Sequence, residues 1–106
     1  MEFKFPPIPE GEFEVYADIY AKEGRGDELE DFIRRQVTLA KDEPGTLVYS
    51  VSRDDQNPLH FHIFERYSGR EALEKHLATP VAKELAAAGV IAAGPPPKFL
   101  KALTGF

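Results

Sequence analysis

The segment Phe61–Leu77, FHIFERYSGREALEKHL, predicts a strand followed directly by an amphipathic helix. Alternate positions in its first seven residues place Phe61 and Ile63 on one side, with Glu65, and His62 on the other, which favours a half-buried strand. Farther along, Ala72, Leu73, His76 and Leu77 share one face of a helix. His76 therefore places a titratable imidazole on an otherwise apolar face, which makes it the first candidate for chemistry.

The sequence also predicts where this helix begins and ends. Ser68 and Glu71 form an S-x-x-E capping box, which predicts the start of the helix. Pro80 disfavours helical dihedral angles at Thr79, so we expect a break there and a restart with Pro80 in the first turn. Gly89 should end the second piece.

The remaining segments complete the order of one domain. Alternation predicts a first strand over 13–21, helical spacing predicts a helix over 27–42, and β-branched and aromatic residues predict a second strand over 46–53. A third strand over 59–67 should form a hairpin with the second, and 98–103 should be a short last strand. This βαββαβ order is the ferredoxin-like α+β arrangement, an antiparallel sheet with helices on one face.

Length and composition limit the kind of protein. The 106 residues allow a single core, which we assign to residues 12–106, and the prolines and glycine of residues 1–11 predict an extended arm. The absence of cysteine excludes disulfides, thiolate nucleophiles and cysteine-based metal sites. A net charge of −5 without a basic block argues against nucleic acid and anionic membranes as partners. No segment approaches the ~20 apolar residues of a membrane helix, so we expect a cytoplasmic protein.

The face of the sheet without helices carries apolar surface. Tyr16 and Tyr20 of the first strand should both point to this face. Such a face would leave a large patch in water, so we predict that two copies pack sheet to sheet as a homodimer.

Three short motifs follow one another along the chain: AKEG at 21–24, EPG at 43–45 with Tyr49, and FERY at 64–67 with ALEKHL at 72–77. In this order and spacing they resemble the antibiotic biosynthesis monooxygenase family over residues 12–104. The resemblance implies a dimeric α+β barrel with a pocket between each sheet and its own helices. It also implies cofactor-independent oxidation of small phenolic or quinol-like molecules to quinones by dioxygen.

The resemblance also bears on haem. Haem-degrading members of the superfamily carry asparagine, tryptophan and a haem-ligating histidine where this chain has Ala17, His76 and Ala86. This chain has neither the tryptophan nor the haem-ligating histidine at these positions. The resemblance therefore argues against haem degradation, and no cofactor is expected.

The predicted catalytic residues are His76 and Glu65. An imidazole can accept a phenolic proton near neutral pH, which makes His76 the candidate proton acceptor. The alternative is a core histidine that only hydrogen-bonds a carbonyl. Glu65, on the apolar side of its strand, can assist His76 or orient substrate, or simply form a salt bridge.

The predicted substrate-binding residues are Tyr49 and an apolar wall of Phe61, Ile63, Phe32 and Leu73. The pattern of the second strand leaves open which of its sides faces the pocket. Two other functions also remain open: a non-catalytic dimer that binds a small hydrophobe or responds to stress, and an isomerase or decarboxylase on the same scaffold.

His60 and His62 lie two residues apart and point to the same face, a spacing that can bind a metal. We expect no third ligand, because Glu65 has the opposite parity and His76 lies on a helix that covers the other side. The prediction is therefore exposed or barrel-filling histidines without a metal.

Overall fold

The structure, a computed structural model, describes residues 6–105 and contains four strands and three helices within them. In chain order these elements are β1 (Phe13–Tyr20), α1 (Gly26–Ala40), β2 (Thr46–Arg53), β3 (His60–Tyr67), α2 (Arg70–Leu77), α3 (Pro80–Ala88) and β4 (Lys98–Leu100). The strand order in the sheet is β2-β3-β1-β4, and every neighbouring pair is antiparallel. The predicted ferredoxin-like α+β fold is confirmed. The last strand is shorter than predicted, since it ends at Leu100.

Strand alternation divides the sheet into an inner face, covered by the helices, and an open face. The inner face supplies most of the core, and its buried side chains contact the helices. These inner-face core residues are Phe13, Val15, Phe61, Ile63 and Tyr67. The open face carries the side chains that alternate with them on β1 and β3, including both predicted tyrosines.

The second helical region breaks where the sequence predicts. The Thr79 side chain accepts a hydrogen bond from the Ala82 amide at the start of α3, with Pro80 in the first turn. Gly89 ends α3 in the left-handed conformation with φ of 65°, which glycine adopts without steric cost.

The predicted capping box at the start of α2 is wrong. Gly69 takes the capping position, and no side chain caps the helix. Its backbone is fully extended, with φ of 176°, so the chain turns into the helix one residue later than a cap at Ser68 would require.

A bulge in β2 explains why its inward side could not be read from the pattern. The register with β3 shifts between Thr46 and Val48, so that Thr46 lies opposite Tyr67 while Tyr49 lies opposite Glu65. The two inward positions are thus three residues apart, which no strict alternation predicts.

The EPG turn before β2 lies against the start of α2. The Ser68 amide donates to the Gly45 carbonyl oxygen over 2.9 Å. A Cβ at Gly45 would lie 2.4 Å from the Cβ of Ala72, so only glycine allows this approach. The close packing brings Glu43 next to α2.

The N-terminal part of the chain has little regular structure. Residues 6–12 form neither helix nor strand, and residues 1–5 of the predicted arm lie outside the described residues. None of the three helices within residues 6–105 has the length and apolar character that crossing a membrane requires.

Candidate active site

A cavity of about 810 Å³ lies between the inner face of the sheet and the helices. Its walls are mostly apolar and come from β1, β3, all three helices and the 91–97 segment. The apolar lining includes Val15, Ile63, Leu73, Leu77, Leu85 and Phe99. Its polar lining residues include Gln36, Tyr49, Glu65 and His76, together with Asp18 and Lys22 at its edge.

His76 projects from α2 towards the sheet and is only 3% exposed. Its Nδ1 lies 2.9 Å from Oε1 of Glu43, and its Nε2 lies 3.9 Å from Oε1 of Glu65. A proton on Nδ1 donates to the Glu43 carboxylate and leaves Nε2 as the free acceptor. The imidazole is thereby oriented by one carboxylate and faces another.

Glu43 is the site residue that the sequence reasoning missed. Its Oε1 also accepts a hydrogen bond of 2.7 Å from the Thr46 hydroxyl, which fixes the carboxylate beside His76. Glu43 belongs to the EPG motif, but the motif alone does not place its carboxylate beside a helix residue 33 positions later.

Glu65 stands on the inner face of β3 and is 8% exposed. Burial is the main cause that raises the pKa of its carboxyl group, and the negative charge of Glu43 raises this pKa further. Two neighbours lower the pKa: the Tyr67 hydroxyl, which donates a hydrogen bond to the carboxyl group, and His76. The net direction is upward, so this carboxyl group holds its proton more readily than an exposed one.

Tyr49 completes the polar end of the cavity, and Tyr67 lies buried behind Glu65. The Tyr49 hydroxyl donates to Oε1 of Gln36 over 3.3 Å, and the Tyr49 ring lies 5.0 Å from the His76 ring. Burial first, and then the neighbouring carboxylates, raise the pKa of both Tyr49 and Tyr67. Both phenols therefore stay neutral hydrogen-bond donors at ordinary pH. Gln36 is a buried polar residue of α1 and was not among the predicted site residues.

The structure brings most of the predicted site residues together. His76, Glu65, Tyr49, Ile63 and Leu73 all line the cavity. The other two predicted wall residues lie elsewhere. Phe61 lines a second cavity of about 440 Å³ between α1 and β2, and Phe32 packs at the edge of the core beneath the Arg35 guanidinium.

The open face holds a second cluster of titratable side chains. Asp18 of β1 lies directly opposite His62 and is a third candidate ligand that the sequence pattern did not reveal, while the expectation of no bound metal stays a prediction. Only the strand register reveals this neighbour, since Asp18 is more than 40 residues away in the sequence.

Comparison with known proteins agrees with this geometry. The sequence model of the antibiotic biosynthesis monooxygenase family matches residues 13–88. A search of curated proteins found no match. A candidate antibiotic biosynthesis monooxygenase from Caulobacter crescentus is 26% identical, with a TM-score of 0.78 over 92% of this chain and 94% of that chain.

Two further solved structures show likeness of fold alone. One is a candidate antibiotic biosynthesis monooxygenase from Chloroflexus aurantiacus, 24% identical, with a TM-score of 0.75 over 90% of this chain and 96% of that chain. The other is a Mycobacterium tuberculosis protein, 20% identical, with a TM-score of 0.76 over 89% and 97%. Because the family match spans well over half of the sequence and the fold agrees, the chain belongs to the antibiotic biosynthesis monooxygenase family.

Proposed function

We propose that the chain is a cofactor-independent monooxygenase that oxidises a small aromatic, quinol-like molecule with dioxygen in the 810 Å³ cavity. The observation that carries this proposal is the buried imidazole of His76, which Glu43 holds at Nδ1 on the wall of a largely apolar cavity. Membership of the family supports the class of reaction. The volume lies within the roughly 300–1,000 Å³ of small-molecule sites.

Proton transfer is the first step of the proposed reaction. With its Nδ1 proton donated to Glu43, His76 presents an unprotonated Nε2 that accepts the phenolic proton of the substrate. The Glu43 carboxylate stabilises the imidazolium that results. Glu43 is thus a positioning residue, and His76 is the catalytic base.

Electron transfer to dioxygen follows. The phenolate gives one electron to dioxygen, and the resulting phenoxyl radical and superoxide combine at a ring carbon that bears hydrogen. The peroxide takes the proton back from His76. Loss of that ring hydrogen as a proton, with departure of hydroxide from the O–O bond, leaves a quinone and one molecule of water. One oxygen atom enters the product, and no other reductant is required.

The other polar side chains would hold the reacting oxygen atoms. Tyr49 stays protonated because burial raises its pKa, so its hydroxyl can turn from Gln36 and donate to a substrate oxygen. Glu65, with its raised pKa, lies 3.9 Å from Nε2 of His76, beyond hydrogen-bond distance, and would orient the substrate beside the imidazole. Ile63 and Leu73 would contact the aromatic ring.

A second copy of the chain is the proposed partner of the open face. Tyr16, Tyr20 and Phe64 lie on this face, and Val48 and Leu100 on the same side are 36% and 41% exposed. Covering such a face with its own copy would form the barrel of a homodimer. Light scattering tests the proposed homodimer, and a monomer at micromolar concentration would contradict it. A cytoplasmic location and the lack of a nucleic-acid partner stay predictions.

Oxygen uptake with a panel of hydroquinones and anthrones tests the reaction. We expect turnover with at least one compound and a loss of about 100-fold or more in kcat for His76→Gln. Glu43→Gln should lower kcat with little change in KM, because it alters the orientation of the base and not the apolar contacts. Glu74→Gln, an exposed change on the same helix, is the matched control and should leave kcat unchanged.

Other outcomes would overturn the proposal. Equal rates for wild type and His76→Gln with every compound would remove the catalytic role of the imidazole. Conversion of a compound without dioxygen would indicate an isomerase or decarboxylase. Ligand-dependent thermal stabilisation without turnover would indicate a binding protein.

A further inference from the structure

We propose that His60, His62 and Asp18 on the open face form a binding site for one divalent transition-metal ion, of which Zn²⁺ is the representative. The site lies across the sheet from the cavity and takes no part in the oxidation proposed above. It therefore goes beyond the proposed function, and the two proposals can fail separately.

The strand register builds the cluster. His60 and His62 are two residues apart on β3, so both side chains project to the open face. Asp18 on β1 lies directly opposite His62, and Tyr20 lies opposite His60. β1 and β3 are the two central strands of the sheet, so each pairs with another strand along both of its edges. The three side chains thus stand on strands that are hydrogen-bonded along both edges.

The distances suit a metal ion. Oδ1 of Asp18 lies 2.9 Å from Nε2 of His60 and 3.3 Å from Nδ1 of His62. All three atoms lie within 4.8 Å of one another. Ligands placed about 2.0–2.2 Å from a tetrahedral zinc ion are separated by about 3.3 Å, so only small side-chain rotations are needed.

Asp54 supplies the outer support that metal-bound histidines usually have. Its Oδ2 lies 3.6 Å from Nδ1 of His60 and 3.4 Å from Nε2 of His62, the two ring nitrogens that point away from Asp18. Its Oδ1 accepts hydrogen bonds from the amides of Gln56 and Asn57 over 2.7 and 3.1 Å. A fixed carboxylate that accepts from the outer N–H group of His62 would set the His62 tautomer for metal binding, whereas Nδ1 of His60 lies just beyond hydrogen-bond distance.

Two tyrosines border the cluster. The Tyr20 ring stacks on the His60 ring, with centroids 4.2 Å apart and planes 14° from parallel, and so limits its rotation. The Tyr16 hydroxyl lies 3.0 Å from Nδ1 of His62 and must give up this hydrogen bond when an ion binds. Tyr16 is therefore a competitor of the metal and not a ligand.

The ligand types select the class of ion. Two imidazole nitrogens and one carboxylate oxygen favour zinc, cobalt, nickel, copper or ferrous iron. Magnesium and calcium prefer sites made of oxygen ligands. Because all three ligands belong to one chain, the expected stoichiometry is one ion per chain, whether the protein is a monomer or a dimer.

Metal titration of the untagged, chelator-treated protein tests the site. Equilibrium dialysis with Zn²⁺ should give one ion per chain, and Co²⁺ should give a visible absorption band that Zn²⁺ abolishes and Mg²⁺ does not. We expect His62→Gln and Asp18→Asn to lose binding. Asp54→Asn should weaken it by about 10-fold to 100-fold. Tyr16→Phe should bind as well as wild type or more tightly.

Matched controls separate the site from adventitious binding. Asp55→Asn removes the same charge at an exposed neighbouring position, and His76→Gln removes the remaining histidine of the chain; both should keep full binding. Circular dichroism of the metal-free variants checks their folding. If a ligand variant fails to fold, the weaker binding expected of Asp54→Asn tests the site instead. No retained Zn²⁺, one ion per two chains, or equal binding by wild type and His62→Gln would each overturn the proposal.

Discussion

The two faces of the same sheet each carry a cluster of histidine and carboxylate side chains, and they differ in burial. On the inner face the His76 side chain is 4% exposed and touches Glu43 and Glu65. On the open face the side chains of His60 and His62 are 15% and 34% exposed. Within a single chain, the same functional groups therefore occupy a buried site on one side and a partly exposed site on the other.

This difference separates the chemistry that each face supports. Burial raises the pKa of Glu65 on the inner face, whereas hydrogen bonds from the Gln56 amide, then His62 and the Asn57 amide, lower the pKa of Asp54 on the open face. A carboxyl group that holds its proton suits proton transfer inside an apolar cavity. A carboxylate that stays charged suits support of metal-bound imidazoles.

The largest expected effect comes from one residue on each face of β3. Phe61 is 1% exposed in the inner core, so Phe61→Ala should lower the free energy of unfolding by about 3–5 kcal/mol. Phe64 lies on the open face, and Phe64→Ala should cost about 1 kcal/mol. Urea denaturation of both variants measures the difference.

Repeating the urea denaturation at several protein concentrations tests whether a second copy covers the open face. If a second copy covers the open face, the cost of Phe64→Ala should grow with protein concentration while the cost of Phe61→Ala stays constant. Equal costs for the two variants would contradict the division into a core face and a partner face.

A smaller effect tests how each cluster is held together. The open cluster depends on strand register, but Glu43 reaches His76 because Gly45 packs on Ala72. Gly45→Ala should therefore destabilise the fold by about 1–3 kcal/mol. Gly69→Ala is the control, since a Cβ there meets no atom within 4 Å and its backbone is extended, and it should stay within about 0.5 kcal/mol of wild type. Equal melting temperatures for both variants would show that the turn is not closely packed.

Much of the fold follows from local patterns in the sequence. The alternation in β1 and β3, the break at Pro80 and the stop at Gly89 each depend on residues close in the chain, and the structure confirms them. The predicted start of α2 was wrong. Ser68 satisfies the capping pattern in the sequence, but the backbone at Gly69 is extended and the helix begins after it.

The candidate site was only partly predictable, because its partners come from distant parts of the chain. His76 was identified from its place on an apolar helical face, but Glu43 lies 33 residues earlier in a turn that looked structural. Asp18 likewise meets His62 only through the antiparallel register. The inward side of β2 depended on a bulge, which leaves no reliable trace in apolar periodicity.

The smallest effect concerns the pH dependence of stability contributed by Glu65. Its pKa in the folded protein is raised above the ordinary value of 4.5, mainly by burial. Between the ordinary and the raised pKa the folded state binds more protons than the unfolded state, so the free energy of unfolding falls as pH rises. This contribution is fully present below the ordinary pKa and is lost as pH rises through the raised pKa.

Denaturation of wild type and Glu65→Gln over a range of pH values measures this contribution. The stability of wild type relative to Glu65→Gln should decrease as pH rises above 4.5, with a slope of at most about 1.4 kcal/mol per pH unit for one proton. Glu74→Gln, which removes an exposed carboxylate from α2, should show no such decrease. A relative stability that rises with pH would mean that Glu65 is stabilised as a carboxylate, and the inner face would then resemble the open face in its electrostatics.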